Sequence, residues 1–278
     1  MFVLIDFHTH IFPDAIAPRT IQALVGGIVK EQGEAYLEGK TLHFTDATLQ
    51  GLLTSMEEQG VNRSVCLPIV TKPSQTESIN RFARGIRNEK TLSFGSLHPM
   101  QEDWEQVLES LAERGFRGIK LHPQFQFCDI DAPESLRIIR KAEQLGLLVM
   151  FHAGVDIGLP PPVYATPEKI RHVLEYTEGS HLIAAHLGGW QMWDDVERFL
   201  VGTPVYLDTA FIKDHMAPEQ AKRIIENHGA EKILFGSDSP WERPADTLTF
   251  LQSLGLTAEQ MDRITHKNAL QLLEGADS

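Results

Sequence analysis

In PESLRIIRKAEQLGLLVMFHAG, residues 133–154, a helical pattern opens on Pro133, in a first turn that tolerates proline. Gly146 stops it, and residues 147–151, LLVMF, follow as an uninterrupted apolar run. A run this short suits a strand covered on both faces, as strands of parallel sheets are. A polar residue, His152, closes the run. The same unit recurs on either side. Further strand candidates lie at residues 2–7, 61–70, 92–97, 116–121, 182–185, 205–207 and 233–235. Helical patterns at 45–59, 75–88, 104–114, 167–177, 191–200, 218–228 and 257–273 alternate with them.

Eight β–α units predict the α/β class and a (β/α)8 TIM barrel, which needs roughly 250 residues. The chain has 278, without a linker, repeat or low-complexity tract, so residues 1–278 read as a single domain. Two connections are long, 11–43 after the first strand and 239–256 after the last. Both follow strands and so belong to the face where barrel active sites form. Residues 11–43 are expected to form a cap-like insertion over that mouth, with a short helix and a turn.

Composition narrows the function. Lys and Arg total 25 against 38 Asp and Glu, a net charge of −13. Such a chain is poorly suited to nucleic acid or an anionic membrane surface, and a small-molecule substrate is expected. No apolar run approaches the ~20 residues of a membrane span. The apolar start lacks a basic flank and a cleavage site, and the only cysteines, Cys66 and Cys128, make no disulfide framework. A cytoplasmic protein is the expectation, and homo-oligomerisation stays open.

The histidines carry the chemistry. His8 and His10 are two apart at the end of the first strand, so they share a face and form a natural ligand pair for one divalent ion. Asp6, one step deeper on that face, reads as a hydrogen-bonded interior carboxylate. His152, His186 and Asp238 each end another apolar run. One such residue is commonly a satisfied core group. Five at the C-terminal ends of strands are hard to explain by packing, since burying unpaired polar groups costs ~1–3 kcal/mol each.

The ordered set IDFHTH, GIKLHP, FHAG, AHLGG and FGSDSPW, with a later NALQLL, resembles the amidohydrolase superfamily, in the branch called amidohydrolase family 2. The resemblance spans about the whole chain. It implies a metal-dependent TIM-barrel enzyme whose first metal shell is His8, His10, His152 and Asp238. His186 falls where the family has a ligand for a second metal or a group polarising the substrate. Lys120 falls where some members carry a carboxylated lysine bridging two metals; a plain cation binding a substrate carboxylate is the equal alternative. The cofactor implied is therefore one or two divalent ions, Zn2+ first. His122 shares the face of Lys120, and Trp190 and Trp241 follow His186 and Asp238; these three are the substrate-binding candidates. Trp packing is the common alternative for the last two.

The first functional reading is hydrolysis of a small ester, lactone or amide by a metal-activated water. Asp238 would move the proton and His186, or a second metal, would polarise the carbonyl, with Lys120 counted among the catalytic candidates. The alternative is non-oxidative decarboxylation of an aromatic or enolic carboxylic acid by the same residues, because the branch contains both kinds.

Overall fold

A computed structural model describes residues 3–38 and 42–274. Residues 2 and 39–41, which belong to the expected first strand and cap, lie outside the described residues. The first strand, β1 (Ile5–Thr9), leads into α1 (Ala17–Gln32). There follow α2 (Leu49–Gln59), β2 (Arg63–Cys66), α3 (Thr76–Gly85), β3 (Thr91–Ser93) and β4 (Gly95–Ser96). Next come α4 (Trp104–Glu113), β5 (Gly118–Leu121), α5 (Pro123–Gln126), α6 (Pro133–Gln144) and β6 (Leu148–Phe151). The remainder is α7 (Pro167–Val173), β7 (Leu182–Ala184), α8 (Trp193–Phe199), β8 (Tyr206–Asp208), α9 (Pro218–His228), β9 (Ile233–Leu234), α10 (Pro244–Ser253), α11 (Ala258–Asp262) and α12 (Asn268–Glu274).

Every strand pairing is parallel, in the orders β1-β2-β3 and β4-β5-β6-β7-β8-β9. The third expected strand is broken at Phe94 into β3 and β4, and the Phe94 amide still donates to Cys66 O at 3.0 Å. The last strand meets the first. Phe7 donates to Phe235 O at 2.8 Å, Asp238 to His8 O at 2.9 Å and His10 to Ser239 O at 2.6 Å. These bonds satisfy the two edges that an open sheet would leave unpaired.

Register assigns the faces. Lys120 pairs with Met150, Met150 with Ile183 and Ile183 with Tyr206, so these four share one side of the sheet. Their neighbours Ile119, Val149, Phe151 and Leu207 pack with the helices, in one core with Ile138, Ile139 and Ile224. Helix starts follow the local sequence. Thr48 caps α2 by accepting from the Gly51 amide at 3.0 Å, and Gly60 ends it in a left-handed turn.

Two segments depart from the sequence reading. Residues 239–256 contain a full helix, α10, whose first turn holds Pro244. The last helix is not continuous, because a π-helical turn, Arg263–Lys267, separates α11 from α12. There Ile264 O accepts the Phe235 amide at 2.9 Å, while Asn268 Nδ2 donates to Ala230 O and Ile233 O, both at 2.7 Å. The wider turn frees a carbonyl for the strand, a tertiary demand that helical periodicity cannot show. None of the described helices is long and apolar enough to cross a membrane.

Candidate metal centre and active site

The alternation of β1 puts Asp6, His8 and His10 on one face. Asp6 accepts from the amides of His8 (3.1 Å) and Ser237 (3.0 Å), and from the Ser237 hydroxyl. Burial pushes its carboxyl up to about 7. It is an interior acceptor that ties β1 to the last strand.

Hydrogen bonds behind the rings fix which nitrogen of each histidine is free. His8 Nδ1 lies 2.8 Å from Asp208 Oδ2, and His10 Nδ1 lies 3.0 Å from Leu67 O. A carboxylate and a carbonyl can only accept, so both rings carry their hydrogen on Nδ1. Both Nε2 atoms are then bare. They lie 3.0 Å apart, and Asp238 Oδ1 stands 3.3 Å from the first and 3.2 Å from the second. Three acceptors face one another with no hydrogen between them. Burial, then the nearby Lys120, hold His8 well below its ordinary pKa, so its Nε2 stays bare at neutrality. The donor set fits a divalent cation.

The same reasoning applies to the next pair. His186 Nδ1 lies 2.9 Å from Ala210 O, and His152 Nε2 lies 3.3 Å from Val155 O. Their other nitrogens, His186 Nε2 and His152 Nδ1, therefore confront each other as lone pairs at 3.1 Å. Burial lowers both rings to about 4, helped in His152 by Lys120 and in His186 by His152. The His186 ring is 5.3 Å from that of His8. Bare nitrogens of four histidines thus gather at the strand ends, with the ligand atoms of His8, His10 and Asp238 within 4.8 Å of one another.

Lys120 is buried beside them. Burial lowers its ammonium to about 8, opposed by Asp208 and Asp238. His122 belongs to another arrangement. Its Nδ1 accepts from the Phe125 amide at 3.4 Å, capping α5, and its Nε2 faces Asp156 Oδ2 at 3.5 Å. Its ring stacks on that of His152 at 4.5 Å between centroids. His8, His10, His152, His186, Asp238, Lys120, His122 and Asp156, with Trp190 and Trp241, line one cavity of about 200 Å3. Its other walls are mostly aliphatic and aromatic, Tyr36 among them, and Ala23, Leu24, Gly27 and Ile28 of α1 form one of them. Trp190 donates its Nε1–H to Phe211 O at 3.1 Å, so it presents a ring edge and face to the cavity.

Two functional residues escaped the sequence reading. Asp208 ends β8, and the rule that picked out His152 and His186 applies to it once the strand is extended by one residue. Besides holding His8, its Oδ1 accepts from the amides of His186 (2.8 Å) and Ala210 (3.0 Å). Asp156 had no such signal, because it lies in a loop four residues past His152.

The backbone bends to aim these groups. His186 and Asp238 have φ of 59° and 66°, a left-handed conformation costing roughly 1–2 kcal/mol for a residue with a Cβ. Two glycines make room. A Cβ on Gly236 would lie 2.9 Å from that of His8, and one on Gly154 would lie 2.2 Å from the Trp190 amide nitrogen. The second explains why glycine follows FHA.

Solved structures share the fold across the whole chain. A 5-carboxyvanillate decarboxylase from Sphingomonas paucimobilis is 13% identical with a TM-score of 0.68, covering 99% of each chain. One from Novosphingobium aromaticivorans, complexed with manganese and 4-hydroxy-3-methoxy-5-nitrobenzoic acid, is 13% identical with a TM-score of 0.71, over 98% of this chain and 96% of that one. A 2,6-dihydroxybenzoate decarboxylase from Rhizobium is 16% identical with a TM-score of 0.62, over 99% of each. No curated protein matches the sequence. All three of these structures are decarboxylases of aromatic acids, and the expected ester, lactone or amide hydrolase is corrected on that finding. The zinc expectation narrows only to a divalent metal, manganese being the ion in one relative. The family model described as Amidohydrolase matches residues 5–275, and the chain belongs to that family of TIM-barrel metal enzymes.

Proposed function

We propose that this protein is a metal-dependent, non-oxidative decarboxylase of an aromatic or enolic carboxylic acid. The observation that carries the proposal is the set of bare donor atoms, His8 Nε2, His10 Nε2 and Asp238 Oδ1, opening into a cavity walled by rings and aliphatic side chains. An apolar cavity with a few convergent polar groups suits a flat organic acid. His8, His10, Asp238 and His152 would hold the ion, with His186 directed at the same space. When bound, the ion supplies a positive charge that draws electron density toward the substrate's oxygen substituents.

The chain's own groups do the rest. Lys120, an ammonium with a pKa near neutrality, neutralises the substrate carboxylate in a dry setting. The bond between ring carbon and carboxylate breaks, carbon dioxide leaves, and the electron pair stays on the ring carbon, which takes up one proton. That proton comes from solvent and is relayed through Asp238, which stands between His8 and His10. The α1 segment caps the cavity and keeps water from the carbanion-like centre.

The test is a panel of hydroxylated aromatic and enolic acids incubated with metal-loaded protein. Release of carbon dioxide, with deuterium entering at the vacated carbon in heavy water, is the expected result. Hydrolysis of esters or lactones with no carbon dioxide from any acid would overturn the proposal. Elemental analysis of the same protein identifies the ion.

A further inference from the structure

The histidines, acids and lysine of the cavity form two sets. One is the gathering of bare nitrogens with Asp238 and Lys120. The other is Asp156 with His122, set off from the first by the stacked His122 and His152 rings. We propose that Asp156 reads a hydrogen-bond donor, a hydroxyl or amino group, on a substrate with a single carboxylate, and rejects substrates with a second carboxylate at that place. The inference rests on the decarboxylase reading above.

Asp156 has one oxygen to spare. Its Oδ1 accepts from the Gly158 amide at 2.8 Å. Among the described residues its Oδ2 has only the His122 Nε2 at 3.5 Å, too long for a good bond, and the side chain is 14% exposed and lines the cavity. The side chains of the neighbouring wall, Val155, Ile157 and Leu159, are apolar. The aspartate is also held in place. Gln32 Nε2 donates to Ile157 O at 3.1 Å, and Gln124 Nε2 donates to Pro160 O and Pro162 O at 2.8 and 2.9 Å. A Cβ on Gly27 would lie 3.0 Å from Gly158 O, so α1 packs tightly against the same loop.

A second metal ion is a poorer occupant of this corner. His122 accepts on Nδ1, so its hydrogen is on Nε2 and points toward Asp156, where an ion would need a lone pair. Nor is there a counter-charge for a second substrate carboxylate. Among the described residues lining the cavity, Lys120 is the sole Lys or Arg, and it lies with the first set. A carboxylate placed against Asp156 would meet a like charge away from water.

The Asp156→Asn variant gives a reversal. The Gly158 amide keeps the side-chain oxygen, so the new NH2 takes the Oδ2 position and presents a donor where there was an acceptor. Affinities would be measured on metal-loaded wild type and variant for hydroxybenzoates, methoxybenzoates and benzenedicarboxylates, each substituted at the 2, 3 or 4 position. At one ring position the wild type should prefer hydroxyl to methoxyl by about tenfold or more, the scale of a hydrogen bond to a charged acceptor. The variant should lose that preference and bind the dicarboxylate about tenfold more tightly than the wild type does. An unchanged rank order overturns the assignment to Asp156, while carbon dioxide release by the wild type still supports decarboxylation. Wild type that binds none of these acids overturns both. Equal weakening of all ligands in the variant, or loss of one metal ion per chain, also overturns it, by making Asp156 a structural residue or a ligand.

Discussion

Asp208→Asn tests whether the metal centre depends on a fixed histidine tautomer. In the wild type, Asp208 Oδ1 accepts two backbone amides, from His186 and Ala210, and Oδ2 accepts the His8 Nδ1 hydrogen at 2.8 Å. In the variant the single oxygen stays with the two amides, which cannot move without shifting β7 and β8. The NH2 then meets His8 Nδ1. Two hydrogens cannot share that contact, so the His8 hydrogen moves to Nε2, and the lone pair facing His10 and Asp238 is lost. Removing the partner behind a ligating histidine costs about 10–100-fold in metal affinity. At 1.4 kcal/mol per decade that is ~1.4–2.8 kcal/mol. Unfolding of the apoprotein should change less than a cavity mutation would, because size and both amide bonds are kept. The assay is competition for the ion against a chromophoric chelator, with thermal unfolding of the apoprotein alongside. Undiminished affinity in a folded variant would refute the tautomer argument.

Other outcomes follow from the same geometry. A His8→Ala, His10→Ala double variant should purify without stoichiometric metal while staying folded, as elemental analysis and circular dichroism would show. Metal-replete Asp238→Asn should lose ~10²–10⁴ in kcat, more than it changes KM, because the amide cannot carry the proton at neutral pH; near wild-type turnover would move that role to Lys120 or His186. Stability of the apoprotein should fall with acid. His152 and His186 are lowered by burial to about 4 in the fold against about 6.5 in an unfolded chain. Between those values the unfolded chain binds more protons, so stability is greatest above 6.5 and is lost as the pH drops toward 4. A flat unfolding temperature across that window in chelator would contradict the tautomers given to these rings.

Much was legible in the chain itself. Residues 133–154 carry a capped helix, a glycine stop and a buried strand, and repetition of that local pattern implies a parallel sheet with helices outside it. Alternation placed His8 and His10 on one side, and termination of apolar runs marked His152, His186 and Asp238, because a polar group at the end of a buried strand must find a partner. Lys120 and His122 were readable as facing the same way, but not as belonging to different arrangements. Only their partners, the acids beside Lys120 and the Phe125 amide and Asp156 around His122, separate them.

Local periodicity sets the elements and the side that each polar residue takes. Which atoms meet is settled only once the chain has folded. The tautomers of His8 and His10 depend on Asp208 and Leu67, the first 200 residues distant in sequence. The π-helical turn depends on a strand that needs one more acceptor. Asp156 enters the cavity because its loop is tied to α1 and α5. Each is a long-range hydrogen bond, and no window of neighbouring residues contains both of its ends.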